Sequence, residues 1–303
     1  MTELILEKTS ALHWREYFAL CKPKVVALIA FTAVVGMLLS TPGPIPLDTL
    51  VFGTLGIALG AASGAAVNHW VDQRSDAIME RTHNRPLPQG KLSPQAAIRF
   101  ALAIGALSMV ILGMFVNPLT ALLTFISMIG YAVIYTMFLK RSTPQNIVLG
   151  GAAGAAPPVL GWAAATGEVN ANALLLFLVI FIWTPPHFWA LAIKRRKEYA
   201  KAGIPMLPVT HGVAFTKLNI LLYTLLLMAV TLMPFITQMS GLIYLAGALA
   251  LGIGFIYHAV VLYRAEGDNH TMKTFAYSIF YLSALFAFLL ADHYARLIIR
   301  AYF

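Results

Sequence analysis

Three side chains carrying oxygen donors stand at i, i+4 and i+8 in this sequence: Asn68, Asp72 and Asp76. On a helix that spacing lines them up on one face, one turn apart. Two carboxylates so placed repel each other, and at the end of an apolar run they are expensive to strip of water. A hard divalent cation resolves both difficulties. Mg²⁺ takes oxygen ligands, keeps part of its water shell, and is commonly held by one or two carboxylates together with substrate phosphates. Arg81 and Arg85 follow, again at i, i+4, with the planar fork that pairs with phosphate oxygens. Pro86 and Pro88 then stiffen the chain. Together these are the parts needed to hold a metal–diphosphate and stabilise it as a leaving group. Asn68, Asp72, Asp76, Arg81 and Arg85 are therefore the candidate catalytic residues, the first three as metal ligands. The competing reading is a solvated helix end whose acids pair with Arg74 and Arg81. The acids directly continue an apolar run, which argues against it.

A second polar cluster, Lys194-Arg195-Arg196-Lys197-Glu198, also follows a long apolar run. Both clusters end in Leu-Pro, at Leu87-Pro88 and Leu207-Pro208, and Asp76 and Glu198 are similarly offset. The parallel suggests two half-sites facing each other across a bundle. Lys194, Arg195, Arg196 and Lys197, with Lys140 and Arg141 at the end of another apolar run, are candidates for diphosphate binding. Glu198 is the candidate acid of the second cluster.

The elements that must position these residues follow from composition. The 303-residue chain is 59% hydrophobic and only 11% charged, against about 25% charged in a soluble domain. No Asp, Glu, Lys or Arg occurs in 25–47, 49–71, 100–139, 142–167, 169–193, 218–263 or 274–291. A helix needs roughly 20 apolar residues to cross the hydrocarbon core. Turn residues such as Asn117-Pro118 and Ser240-Gly241 divide the longer runs. The pattern predicts an all-α polytopic membrane protein of about nine transmembrane helices in a single bundle. The spans fall near 24–41, 49–70, 95–115, 118–139, 146–166, 171–192, 216–236, 241–263 and 274–291. Residues 1–303 read as one membrane-embedded domain, with 1–23 as a short cytoplasmic N-terminal segment that lacks the apolar core of a cleavable signal.

With the N-terminus inside, every Lys and Arg except Arg296 and Arg300 falls on the cytoplasmic side, while Asp48, Glu168 and Asp292 fall outside. The net charge of +9 then reflects topology beside anionic lipid and not nucleic-acid binding. Both polar clusters come to the cytoplasmic face, which places the active site there. A transporter would carry ionisable groups near mid-membrane, and these spans carry Lys or Arg only at their ends, at Lys24, Arg99 and Lys217. The single cysteine, Cys21, excludes an internal disulfide and any multi-cysteine metal site.

At this point the residues resemble a family. Asn68-x-x-x-Asp72-x-x-x-Asp76, followed by Glu80-Arg81-Thr82-x-x-Arg85-Pro86, is similar to the first motif of the UbiA-type intramembrane prenyltransferases. Several segments resemble the haem-modifying branch: Lys22-Pro23, Lys140-Arg141-Ser142-Thr143-Pro144-Gln145-Asn146, Gly150 through Pro158, Pro185-Pro186-His187-Phe188-Trp189 and Gly203-Ile204-Pro205-Met206-Leu207-Pro208. The likeness runs from about residue 15 to at least 275. It implies a bacterial inner-membrane enzyme with Mg²⁺ as cofactor, and farnesyl diphosphate and haem B as substrates. The reaction implied is transfer of the farnesyl group to a haem vinyl group with addition of water, giving haem O. A haem A synthase is the candidate partner. Where aromatic-acid prenyltransferases of the family carry a second Asp-x-x-x-Asp, this chain has only Glu198, which places a second metal in question. Under the same resemblance His187 becomes a candidate haem contact, against the plainer reading of a packed helix-end histidine. An aromatic acid or a porphyrin or chlorin other than haem is the alternative acceptor.

Overall fold

Prolines and short polar caps set where the helices begin. In the computed structural model, which describes residues 14–302 and side chains as far as 299, α1 (Pro23–Ser40) starts on a proline at its first position. The second helix, α2, runs Leu47–Ile78. Ser93 caps α3 (Pro94–Phe115) by accepting from Ala96 N, and Asn117 caps α4 (Pro118–Ser142) by accepting from Thr120 N. After α5 (Asn146–Thr166) the chain stops at Gly167, whose φ of 74° suits the C-terminal turn. Asn170 then caps α6 (Ala171–Lys194). The last three are α7 (Gly212–Ile236), α8 (Leu242–Arg264) and α9 (Thr271–Tyr302). Among the described residues these nine helices are long and apolar enough to cross a membrane, and there is no strand. A short helix at 14–20 precedes them, and two helical turns, Arg196–Lys201 and Leu207–Thr210, join α6 to α7. Residues 1–13, including Lys8 of the predicted N-terminal segment, lie outside the described residues.

The predicted spans are present at nearly their predicted positions, with two extensions. Helix α2 continues to Ile78, so Asn68, Asp72 and Asp76 stand on unbroken helix. Helix α9 continues to Tyr302, well past residue 291. Asp292, assigned from sequence to an outer segment, is instead buried within that helix. Its carboxylate accepts from Gly241 N at 2.5 Å and Tyr244 N at 3.2 Å, capping the start of α8 from a neighbouring element. Hydropathy marks where a helix leaves the lipid, not where it ends.

Without a hydrophobic force between helices in lipid, close packing holds the bundle together. At the crossing of α1 and α5 the backbones touch. A Cβ on Gly36 would lie 2.1 Å from the Pro158 carbonyl oxygen, and one on Gly161 would lie 1.9 Å from that of Ala33. Helices α2 and α3 are joined by hydroxyls that satisfy carbonyls across the interface, Ser63 Oγ to Ala101 O at 2.8 Å and Ser108 Oγ to Gly56 O at 2.6 Å. Large apolar side chains such as Leu102, Met114, Phe138, Leu222 and Ile253 are exposed around the bundle, as a lipid-facing surface requires. The aromatic-rich core, with Trp183, Tyr244, Phe255, Tyr281 and Phe286, lies among α6 to α9. The other half, around α1, α2, α4 and α5, encloses a cavity.

One departure from regular helix bears on the site. Gly130–Leu139, in the second half of α4, is π-helical. Such segments recur at functional positions in proteins.

Candidate active site

The row predicted from spacing is present and buried. Asn68, Asp72 and Asp76 are all below 5% exposed, and each is met by a cation from another part of the chain. Lys22 Nζ donates to Asn68 Oδ1, and Lys140 Nζ to Asp72 Oδ2, both at 2.5 Å. Arg85 Nη1 donates to Asp76 Oδ2 at 2.7 Å. Asn68 Nδ2 donates to Asp72 Oδ2 at 2.8 Å and to Thr136 Oγ1 at 3.2 Å. Arg141 is held nearby through Ser75 Oγ at 2.9 Å. Thr82 Oγ1 donates to the Asp76 carbonyl at 3.0 Å, which folds the chain after α2 back and returns Arg85 to the row. Arg85, Lys140 and the neighbouring Arg141 against two carboxylates leave this pocket electropositive, as a site for a highly charged anion requires.

Lys22 precedes α1 in the left-handed region, at φ 50°. Burial, reinforced by repulsion from Arg85 and Lys140, outweighs the attraction of Asp72 and Asp76 and pulls its ammonium down to about 7. Tyr131 OH lies 3.5 Å from the same ammonium.

The donor set fits a hard divalent cation. All three members of the row present oxygen, and Asp72 Oδ1 is buried with no partner, an arrangement that is costly unless something further binds it. The row is not a self-sufficient cage. Among the described residues, no group of three or more His, Cys, Asp or Glu is placed to hold an ion. That suits Mg²⁺, which completes its shell with water and phosphate oxygens.

Below the row opens a cavity of about 260 Å³. Lys22, Tyr131 and Tyr135 line it beside the row, and Ile29, Ile57, Thr124 and Leu160 line it deep in the bundle. From Asn68 down to Ile57 the helix descends about 16 Å at roughly 1.5 Å per residue. Glycines give the cavity its width. A Cβ on Gly150 would fall 2.2 Å from the Tyr135 ring and one on Gly151 3.0 Å from Thr184, so this stretch serves close packing. Gly150, Gly151 and Gly154 also line the cavity wall. The Tyr131 and Tyr135 rings stack with centroids 5.8 Å apart.

The second cluster is arranged differently. Arg195 Nη1 pairs with Glu198 Oε1 at 2.8 Å, Lys194 Nζ with Asp268 at 3.1 Å, and Arg196 Nη1 donates to the Ile193 carbonyl at 3.3 Å. Lys197 and Arg81 are exposed. Glu198 Oε2 is buried without a partner. Tyr199 is buried beside the second cluster. Burial pushes its hydroxyl up, opposed by the charges of Arg81 and Arg195. His187 is stacked between Trp183 and Phe275, at centroid distances of 4.2 and 4.6 Å, with Nδ1 2.7 Å from Ser278 Oγ. That is the packed arrangement, and His187 is absent from the cavity wall.

The structure thus brings Asn68, Asp72 and Lys140 together, pairs Asp76 with Arg85 one turn on, and sets Arg141 beside them through Ser75. It adds Lys22, Tyr131, Tyr135 and Thr136, which spacing alone did not select. Lys22 carried a faint signal, a cation just ahead of a helix-initiating proline. Hydroxyls in an otherwise apolar span carried none that separated them from packing.

The sequence profile of the UbiA prenyltransferase family matches residues 29–288. The protoheme IX farnesyltransferase of Thioalkalivibrio sulfidiphilus is 64% identical over 98% of both chains. That of Nitrosococcus oceani is 62% identical over 97% of this chain and 98% of its own. Among solved structures, a digeranylgeranylglyceryl phosphate synthase superposes with a TM-score of 0.78 at 18% identity, covering 92% of this chain and 98% of its own. A UbiA homologue from Archaeoglobus fulgidus bound to GPP and Mg²⁺ gives 0.61 at 17% identity, over 90% and 99%. At that identity the structures speak to fold, and the fold is the same bundle. Membrane helices, an acid row at the head of an apolar cavity and near-full-length likeness converge: the chain is an intramembrane prenyltransferase and belongs to the UbiA prenyltransferase family.

Proposed function

We propose that this enzyme transfers the farnesyl group of farnesyl diphosphate to a vinyl group of haem B, with addition of water, giving haem O and diphosphate. The observation that carries the reading is the junction of an electropositive, oxygen-rich polar pocket with a glycine-lined apolar cavity. A prenyl diphosphate has one end for each, and the cavity's depth suits an extended farnesyl tail. The haem acceptor is supported by the names of relatives about 60% identical over nearly the whole chain.

Asn68, Asp72 and Asp76 are the residues that would hold Mg²⁺. Bound there, the ion supplies Lewis-acid stabilisation of the charge that gathers on the leaving oxygens. Lys22, Arg85, Lys140 and Arg141 bind the diphosphate and stabilise that charge through donors already in place. Arg81, Lys194, Arg195, Arg196 and Lys197 extend the positive rim, with Glu198 holding Arg195 in position. When the C1–O bond breaks, its electron pair leaves with diphosphate and C1 becomes an allylic cation. The apolar walls keep water from that cation, and the faces of Tyr131 and Tyr135 offer it π density. The vinyl carbon then adds to C1, water captures the resulting cation next to the porphyrin, and a proton is released.

The Lys and Arg asymmetry supports an N-terminus and active site on the cytoplasmic side of a bacterial inner membrane. A haem A-forming enzyme is the candidate partner, and residues 1–303 act as one domain. The test is conversion of haem B by purified protein with farnesyl diphosphate and Mg²⁺, followed by mass spectrometry. Magnesium-dependent conversion of one vinyl to a hydroxyethylfarnesyl group, a gain of one farnesyl group and one hydroxyl, is expected. Folded protein that binds the diphosphate yet leaves haem B unchanged would redirect the search to another acceptor.

A further inference from the structure

The π-helical segment of α4 reaches the acid row through one hydroxyl. Thr136 is fully buried, and its Oγ1 donates to the Tyr131 carbonyl, five residues back, at 2.7 Å. A hydroxyl has one proton, so the Thr136 oxygen is left only to accept. It accepts from Asn68 Nδ2 at 3.2 Å, and the other hydrogen of that amide goes to Asp72 Oδ2 at 2.8 Å. Both amide hydrogens are committed, and Oδ1 faces the Lys22 ammonium. The reversed amide would set oxygen against the Asp72 carboxylate and NH₂ against an ammonium, so the electrostatics admit one orientation. A hard cation takes an amide only through its oxygen.

We propose that Thr136 is a positioning residue for the metal–diphosphate site, locking the Asn68 amide with Oδ1 turned toward Lys22 and the cavity mouth; this rests on the reading of Asn68 as a metal ligand. The π turn makes it possible. Turns closing at i+5 let Thr136 reach the Tyr131 carbonyl, while steps of four and five residues keep Tyr131, Tyr135 and Lys140 on the same side of the helix.

The test uses full-length protein in detergent, with Mn²⁺ binding read by electron paramagnetic resonance in the presence of a non-ionisable farnesyl thiolodiphosphate. T136V keeps the shape and removes the acceptor. It should weaken Mn²⁺ binding roughly 10-fold or more, as loss of a ligand-orienting partner does elsewhere. T136S, which keeps the hydroxyl, should restore most of the affinity. Thr136→Ala carries the same expectation as T136V if the valine variant does not fold. In an Asn68→Asp background, where both terminal atoms are oxygen, adding T136V should shift Mn²⁺ affinity by less than about threefold, since there is no amide left to orient. Unchanged affinity in folded T136V, or equal losses in T136V and T136S, would overturn the positioning role. If Asn68→Ala also leaves Mn²⁺ binding intact, the ligand reading itself fails. A loss in Asn68→Ala with none in T136V refutes Thr136 alone.

Discussion

The two charged clusters look alike in sequence and differ in three dimensions. Each is an apolar helix running into polar residues that end in Leu-Pro. In the first, the acids are buried against their cations. Lys140 and Asp72 are 14% and 2% exposed and lie 68 residues apart. In the second, Lys194 and Asp268 are 51% and 37% exposed, and Arg195 pairs with Glu198 within one helical turn. Exposed pairs contribute little, roughly 0–1 kcal/mol, whereas removing one partner of a buried pair leaves an uncompensated charge. The lesson is that charge pattern locates polar ends of helices, and burial decides which of them is organised for chemistry.

The sharpest way to break this contrast is at the acids. Asp72→Asn or Asp76→Asn should lower turnover by about 10²–10³-fold or more, the scale of losing a pre-organised electrostatic group, in protein that still folds. Near-normal turnover in both would remove the metal assignment. Next comes Arg85→Ala, expected to cost roughly 10-fold or more, chiefly as a raised KM for farnesyl diphosphate, since a buried charged partner is lost. Lys194→Ala should change KM by less than about threefold, in line with an exposed pair. If it matches Arg85→Ala, the two clusters are functionally equal and the contrast fails. The smallest effect is expected at His187. His187→Phe keeps a ring between Trp183 and Phe275 and loses only the contact to Ser278, so turnover should fall less than about threefold, with stability lowered by roughly 1 kcal/mol. A weakened haem titration with an unchanged farnesyl diphosphate KM would instead restore a haem contact there.

The glycine contacts test the other half of the site through the scaffold. Gly161→Val would force the α1 and α5 backbones apart, since its Cβ would fall 1.9 Å from the Ala33 carbonyl oxygen. It should cost about 3 kcal/mol or more as overpacking, read as loss of folded protein in detergent. Full stability would mean that these helices do not cross as described.

Residues alone settled a good deal. Seven charge-free runs, two of them divided by turn residues, dictated nine spans, because a lipid-crossing helix must be long and apolar. The i, i+4, i+8 spacing dictated the acid row, because helical periodicity is local. Tertiary structure decided what those rules cannot reach. It brought Lys22, Arg85 and Lys140 onto the row from three separate elements. It buried Asp292 as a cap for α8, stacked His187 against aromatic rings, and wound part of α4 into a π-helix that sets Thr136 against Asn68. The physical reason is common to all four. Hydropathy and spacing are properties of one segment, whereas which cation meets which acid, and what a histidine packs against, depends on surfaces that meet only when the helices do.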